Sequence, residues 1–246
     1  MVRKLIRKGA IAGAAVVTAE AVYALLRPAP VLPEFDPSGE FGEPSNPTLR
    51  VVVLGDSSVT APGVSHPDQS WVRIVCRRLG EHRHVVLRSL AIGGATARTV
   101  IRDQLDEAVE SRPDIALLSI GGNDAIHGVP LSRFERELDL AVADLTASGA
   151  LVLLSGVGDL GTIPRLYQPL RGLMTRRSAT YDRAHQRVAQ RHGALVVDQR
   201  SDDRRLWLRD RSLWSEDLFH VSASGHARWA DTAWRTLEPA IGLLDG

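Results

Sequence analysis

Cysteine, lysine, aromatic side chains and net charge are all scarce in this chain, and each scarcity closes off a class of function. The single cysteine, Cys76, can form no intramolecular disulfide and no cysteine-based zinc site. It falls in an apolar helical pattern, which predicts a buried, inert thiol. Lysine occurs only at positions 4 and 8 among 30 basic residues, so the rest are arginine, an excess that reads as coding bias and not as phosphate binding. With 29 acidic residues in opposition the formal charge is +1, too weak a field to draw the molecule onto nucleic acid. Aromatics are only 5%, but 44% of the 246 residues are apolar, enough for a full core, and this excludes a chain disordered along most of its length. Two motifs are also missing. No G-x-G-x-x-G follows the first strand and no G-x-x-x-x-G-K-[ST] occurs anywhere, so no nucleotide cofactor is expected, and no serine stands in G-x-S-x-G.

What is present begins with Arg3, Lys4, Arg7 and Lys8, followed by an Ala/Val/Leu-rich run over residues 9–26. Basic then apolar is the pattern of a signal peptide or N-terminal membrane anchor, so residues 1–27 predict membrane association and export to the cell envelope. Ala19-Glu20-Ala21 offers a small-x-small cleavage site. Glu20 interrupts the run, and the alternative is a helix packed on the protein, which would leave it cytoplasmic. Residues 28–47 carry six prolines and read as an extended linker. The domain is then 48–246.

From Leu49 onward short β-branched runs alternate with amphipathic stretches. Strands are predicted at 49–54, 84–90, 114–120, 150–154 and 195–197, and helices at 69–79, 97–110, 132–148, 173–192 and 224–240. Alternation of this kind needs right-handed crossovers, and therefore a three-layer α/β/α sandwich with a five-stranded parallel sheet. In such a sheet ligands bind at the carboxyl ends of the strands. Those ends carry Gly55-Asp56-Ser57-Ser58, Gly93-Gly94-Ala95-Thr96, Gly121-Gly122-Asn123-Asp124 and Gly156-Val157-Gly158-Asp159.

Ser57 on a tight turn would present its hydroxyl to the crevice. A serine hydroxyl needs a base to take its proton and a third group to hold the base's tautomer. Among the eight histidines, His220 lies in a polar turn before the last helix with Asp217 three residues earlier, which suits both tasks. Acyl transfer also develops an oxyanion. The Asn123 amide and the backbone N–H groups of Gly94 and Ser57 are the candidate donors. Asp56 and Asp124 are expected to brace loops, His66 and His127 are candidates for the pocket wall, and His226 is expected to be structural.

Together these blocks resemble the SGNH hydrolase family, the GDSL-type esterases and lipases: Gly55-Asp56-Ser57, Gly94, Gly122-Asn123-Asp124 and Asp217-x-x-His220, in order, over residues 49 to about 240. The resemblance implies a flavodoxin-like fold, Ser57 as nucleophile, His220 as base, Asp217 as its partner, and Ser57, Gly94 and Asn123 as the oxyanion hole. The implied activity is hydrolysis or transfer of an acyl ester of a small molecule, lipid or glycan, without metal or organic cofactor. Ser89 and Val221 depart from the family pattern at positions that supply no catalytic atom. Two alternatives compete: a non-catalytic glycan- or lipid-binding domain on the same fold, and a metal-dependent phosphohydrolase using Asp56, Asp124, Asp159 and Asp198. The arginines of 171–191 read as a solvated helix face, with an anionic partner as the alternative.

Overall fold

The computed structural model describes residues 13, 15–24 and 26–245. A six-stranded sheet forms its centre: β1 (Gly39–Phe41), β2 (Thr48–Gly55), β3 (His84–Ser89), β4 (Ile115–Ser119), β5 (Leu151–Ser155) and β6 (Leu195–Val197), in the order β1-β3-β2-β4-β5-β6. The helices are α1 (Ser57–Thr60), α2 (Trp71–Leu79), α3 (Ala97–Asp103), α4 (Leu105–Glu110), α5 (Gly122–Ile126), α6 (Leu131–Ala147), α7 (Leu170–His192), α8 (Arg204–Arg209) and α9 (Ala223–Leu237). The central strands are apolar on both faces because both faces are covered. Val52, Leu54, Leu118 and Leu154 pack with α3, α4, α6 and α7. Their alternates Val51, Val53, Leu117 and Leu153 pack with α2 and α9. Cys76 lies in this second layer, where burial pushes its thiol up to about 12.

Five parallel strands stand where the sequence predicts them, and a sixth is added. Gly39–Phe41 runs antiparallel to β3, with Phe41 opposite Val85. Three residues in a Pro/Gly-rich stretch carry no readable alternation; what makes them a strand is the open edge of β3. Arg73 fixes them there, donating to the carbonyls of Pro37 and Ser38 and lying over the Phe41 ring at 4.8 Å. The stretch 28–47 therefore runs along the domain, and Phe35 N–H also donates to the Thr60 carbonyl at 2.8 Å.

The predicted helix over 97–110 is two helices. At Gln104 the backbone turns to φ −128° and ψ −32°. This swings the buried side chain inward, where Oε1 accepts from Gly55 N–H at 2.9 Å and Nε2 donates to the Gly55 carbonyl at 3.0 Å. The last residue of β2 is thus held from the side by a helix that broke to reach it.

Ahead of the domain, residues 15–24 are helical. Glu20 accepts from Leu170 N–H at 2.7 Å in the first turn of α7, a helix whose own N-cap, Pro169, supplies no side-chain bond. Tyr23 and Tyr167 lie 6.3 Å apart, centroid to centroid. Arg3, Lys4, Arg7 and Lys8 of the predicted signal or anchor lie outside the described residues. Among the described residues no helix is long and apolar enough to cross a membrane.

Gln104→Leu keeps the volume and removes both bonds to Gly55. The Gly55 carbonyl keeps the bond from Ile92 N–H at 3.1 Å, so only the Gly55 N–H loses its partner. A buried group left so costs about 1–3 kcal/mol, and urea denaturation should show a loss of about that size with unchanged slope. A loss below about 1 kcal/mol would mean that water replaces the amide.

Candidate active site

The chain leaves β2 for β3 on one side and returns to β4 on the other, so the carboxyl end of β2 is the switch point of the sheet. There the backbone is crowded: a Cβ on Gly55, at φ +153°, would lie 2.3 Å from the Ser119 carbonyl oxygen. The next residue, Asp56, caps α1 by accepting from Ser58 N–H at 2.9 Å. Ser57 is consequently the first residue of a helix, where backbone N–H groups have no intrahelical acceptor. Two further bonds fix α1: Trp71 Nε1 donates to the Ser58 carbonyl at 2.9 Å, and the Ser58 and Ser119 hydroxyls meet at 2.7 Å.

Ser57 lines an open cleft together with Asn123 and His220. Its walls include Ile120, Ile126, Val157, Ile163 and Phe219. Ser57 and His220 face the same space without a hydrogen bond between them, a spacing common in unliganded sites.

Behind His220, its Nδ1 and Asp217 Oδ2 are 2.6 Å apart. The other carboxylate oxygen accepts from the Ser215 hydroxyl at 2.6 Å and from the N–H groups of Phe219 and His220, each at 2.9 Å. Burial alone would raise the Asp217 carboxyl. The bonds from His220, Ser215 and the two backbone groups outweigh it and hold the group well below the usual carboxylate range. An ionised Asp217 facing Nδ1 makes Nδ1 the donor, which leaves Nε2 as the basic nitrogen. The turn between them is strained at Leu218, φ +62°. It is closed by the Trp214–Val221 bridge and by Ser215 N–H donating to the His220 carbonyl. Below it sits a cluster of Trp207, Leu213, Trp214 and Ile163.

The Asn123 amide nitrogen donates to Asp56 Oδ2 at 3.1 Å and to the Ala95 carbonyl at 2.9 Å. Both neighbours are acceptors, so they orient the amide and engage both of its hydrogens. Asp56 is buried, which pushes its carboxyl up against the opposing effect of the Ser58 bonds, the nearby His220 charge and Asn123. Gly94 is at φ +75°, with open space where a Cβ would stand. It does not line the cleft itself. Its loop is tied to the site through Ala95, and through Ala97 N–H donating to Asp124 at 3.0 Å.

Asp56 and Asp124 therefore brace loops, as expected. His66 caps the turn Pro67–Gln69, and neither it nor His127 lines the cleft. His226 does line it. The four strand-end aspartates do not converge: Asp159 pairs with Arg204 and Asp198 accepts from Arg200 N–H. Among the described residues no three His, Cys, Asp or Glu side chains gather as a metal site would require. The α7 arginines are partly engaged, Arg187 with Glu135 and Arg191 with Asp139, while Arg177 donates to the carbonyls of Ala125 and Val129. Sequence reasoning missed Ser215 and Gln104. Ser-x-Asp spacing is a local signal for the first; a glutamine within an apolar helix face gives none for the second.

Residues 53–228 match the GDSL-like Lipase/Acylhydrolase family. The chain is similar to the GDSL-like esterase Rv1075c of Mycobacterium tuberculosis, 30% identical over 203 residues that cover 78% of this chain and 63% of that protein. It is also similar to Esterase TesA of Pseudomonas aeruginosa, 24% identical over 196 residues, 78% of this chain and 89% of that one. A crystal structure of TesA superposes with a TM-score of 0.63 at 23% identity, covering 78% of this chain and 99% of the other.

His226 is 2% exposed, and its Nδ1 accepts from Trp71 N–H at 3.3 Å. Burial pushes the ring down to about 3, with the His220 charge acting in the same direction. The unfolded chain takes up this proton below about 6.5 while the folded one does not, so stability falls as pH drops from about 6.5 toward 3. Between pH 7 and 5 the native chain should lose about 2 kcal/mol more than His226→Gln, at about 1.4 kcal/mol per pH unit. Urea denaturation at the two pH values checks this, and equal losses would show an unperturbed ring.

Proposed function

Because this chain belongs to the GDSL-like Lipase/Acylhydrolase family and its matched domain is a carboxylic ester hydrolase, we propose that it cleaves its ester through a covalent acyl-Ser57 intermediate. Support comes from one arrangement: Ser57, His220 and Asn123 open on a single cleft, with the Asp217 carboxylate behind the histidine. His220 Nε2 takes the Ser57 proton as Oγ attacks the ester carbonyl. The oxyanion forms against the Ser57 N–H and the Asn123 amide, which shares or gives up its longer bond to Asp56 in doing so. The imidazolium then returns the proton to the departing alcohol, leaving acyl-Ser57. Water, or a second alcohol, attacks next with His220 again as base. The apolar walls suit an ester with an apolar portion.

A serine-directed organophosphonate should add one label to the native chain and none to Ser57→Ala, read by intact-protein mass spectrometry. A label that persists in Ser57→Ala would remove that residue from the chemistry. A chain that takes no label and turns over no ester would favour the non-catalytic binding domain.

The N-terminal helix supports a second element of the proposal, attachment to an anionic membrane surface through residues 1–27. Docked on the domain, it leaves Val16, Val22, Tyr23 and Leu26 about half or more exposed, in sequence next to the basic residues 3–8. That is the composition of a helix lying in the plane of an interface. The full chain should cosediment with phosphatidylglycerol vesicles, and Tyr23→Glu with Leu26→Glu should weaken this at least tenfold. Equal binding by the variant would overturn it.

A further inference from the structure

Arg165 is 8% exposed, yet among the described residues it forms no ion pair with a carboxylate. Among the described residues its guanidinium is satisfied by three backbone carbonyls: Nε donates to Ala24 at 2.8 Å, Nη1 to Asp217 at 2.9 Å, and Nη2 to Arg27. Its own backbone N–H donates to the Leu218 carbonyl at 3.3 Å. Arg165 thus holds both carbonyls that flank Leu218. That residue is the left-handed one between the acid and the histidine, and a non-glycine residue stays in this region only where its surroundings hold it. Relaxation of Leu218 to the right-handed region would rotate the Asp217–Leu218 peptide and turn the Asp217 carboxylate away from Nδ1.

A buried guanidinium is held only if its donors are satisfied. Two of the three side-chain acceptors belong to the N-terminal segment, which is itself anchored by the Glu20 bond to Leu170 N–H. We propose that Arg165 is a positioning residue for the Asp217–His220 pair and that residues 15–24 and 26–27, by accepting its outer bonds, are an intramolecular strut of the active site. The inference rests on the acyl-serine reading for its effect on rate, but its geometry can be read without turnover.

Two full-length variants test it. Arg165→Met removes the clamp; Glu20→Lys leaves Arg165 in place but sets a positive charge against the amino end of α7, undocking the strut. A carboxylate misplaced by about 1 Å costs up to about 100-fold in rate, so both variants should lower kcat about 10–100-fold with KM within about twofold. In both, the far-downfield proton resonance of the Asp217-bonded His220 Nδ1–H should weaken or shift, and Arg165→Lys should restore it in part. If Arg165→Met does not fold, Glu20→Lys decides alone. Unchanged kcat and an unchanged resonance in Glu20→Lys would overturn the strut, and the same result in a folded Arg165→Met would overturn the clamp. Failure of the phosphonate to label Ser57 would instead overturn the acyl-serine reading and leave the resonance test standing.

Discussion

At the carboxyl end of β2 the backbone passes so close to Ser119 that only a residue without a side chain fits, and Gln104 then bonds both polar groups of that residue. This contact sets the rest. With Gly55 pinned, the chain must turn at Asp56, and the Asp56 cap makes Ser57 the first residue of α1. The second carboxylate oxygen of Asp56 then orients Asn123, and Asn123 draws in the Ala95 carbonyl and with it the Gly94 loop. Three strand ends are joined by one buried carboxylate and one amide.

The opposite wall of the cleft is built on another principle. No strand carries Asp217 or His220; a short loop does, shaped by tryptophans. Trp214 Nε1 donates to the Trp207 carbonyl at 3.0 Å, Trp207 Nε1 donates to Asp202, and the two rings meet edge to face at 5.5 Å. With so few aromatics in the chain, their gathering under one loop indicates how much packing is needed to hold an ionised, largely buried carboxylate in place.

Much of this is legible in the sequence, for reasons that differ by element. Runs such as Val51–Leu54 and Ile115–Leu118 are readable as buried parallel strands because burial on both faces leaves no polar alternation to confuse them. Gly55-Asp56-Ser57 and Asp217-x-x-His220 are readable because capping and acid–base pairing act over two or three residues. The rest acts at a distance. β1 exists because β3 has an open edge, and α3 ends at Gln104 because Gly55, 49 residues away in the chain, needs partners. Arg165 resembles any other arginine of an arginine-rich chain until the carbonyls of Ala24, Arg27 and Asp217 surround it.

The bonds from Arg165 to Ala24 and Arg27 span 141 and 138 residues, which gives them a place in time as well as in space. At about 5–20 residues per second of synthesis, the first helix waits roughly ten seconds for Arg165 to be made. During that interval Glu20 has no α7 to bind, and the apolar flank is open to any factor that receives nascent chains. Once the last strand and α9 are in place the same residues are occupied. One stretch of sequence is thus exposed while the chain is growing and a structural part once it is complete, with the rate of elongation setting the boundary between the two.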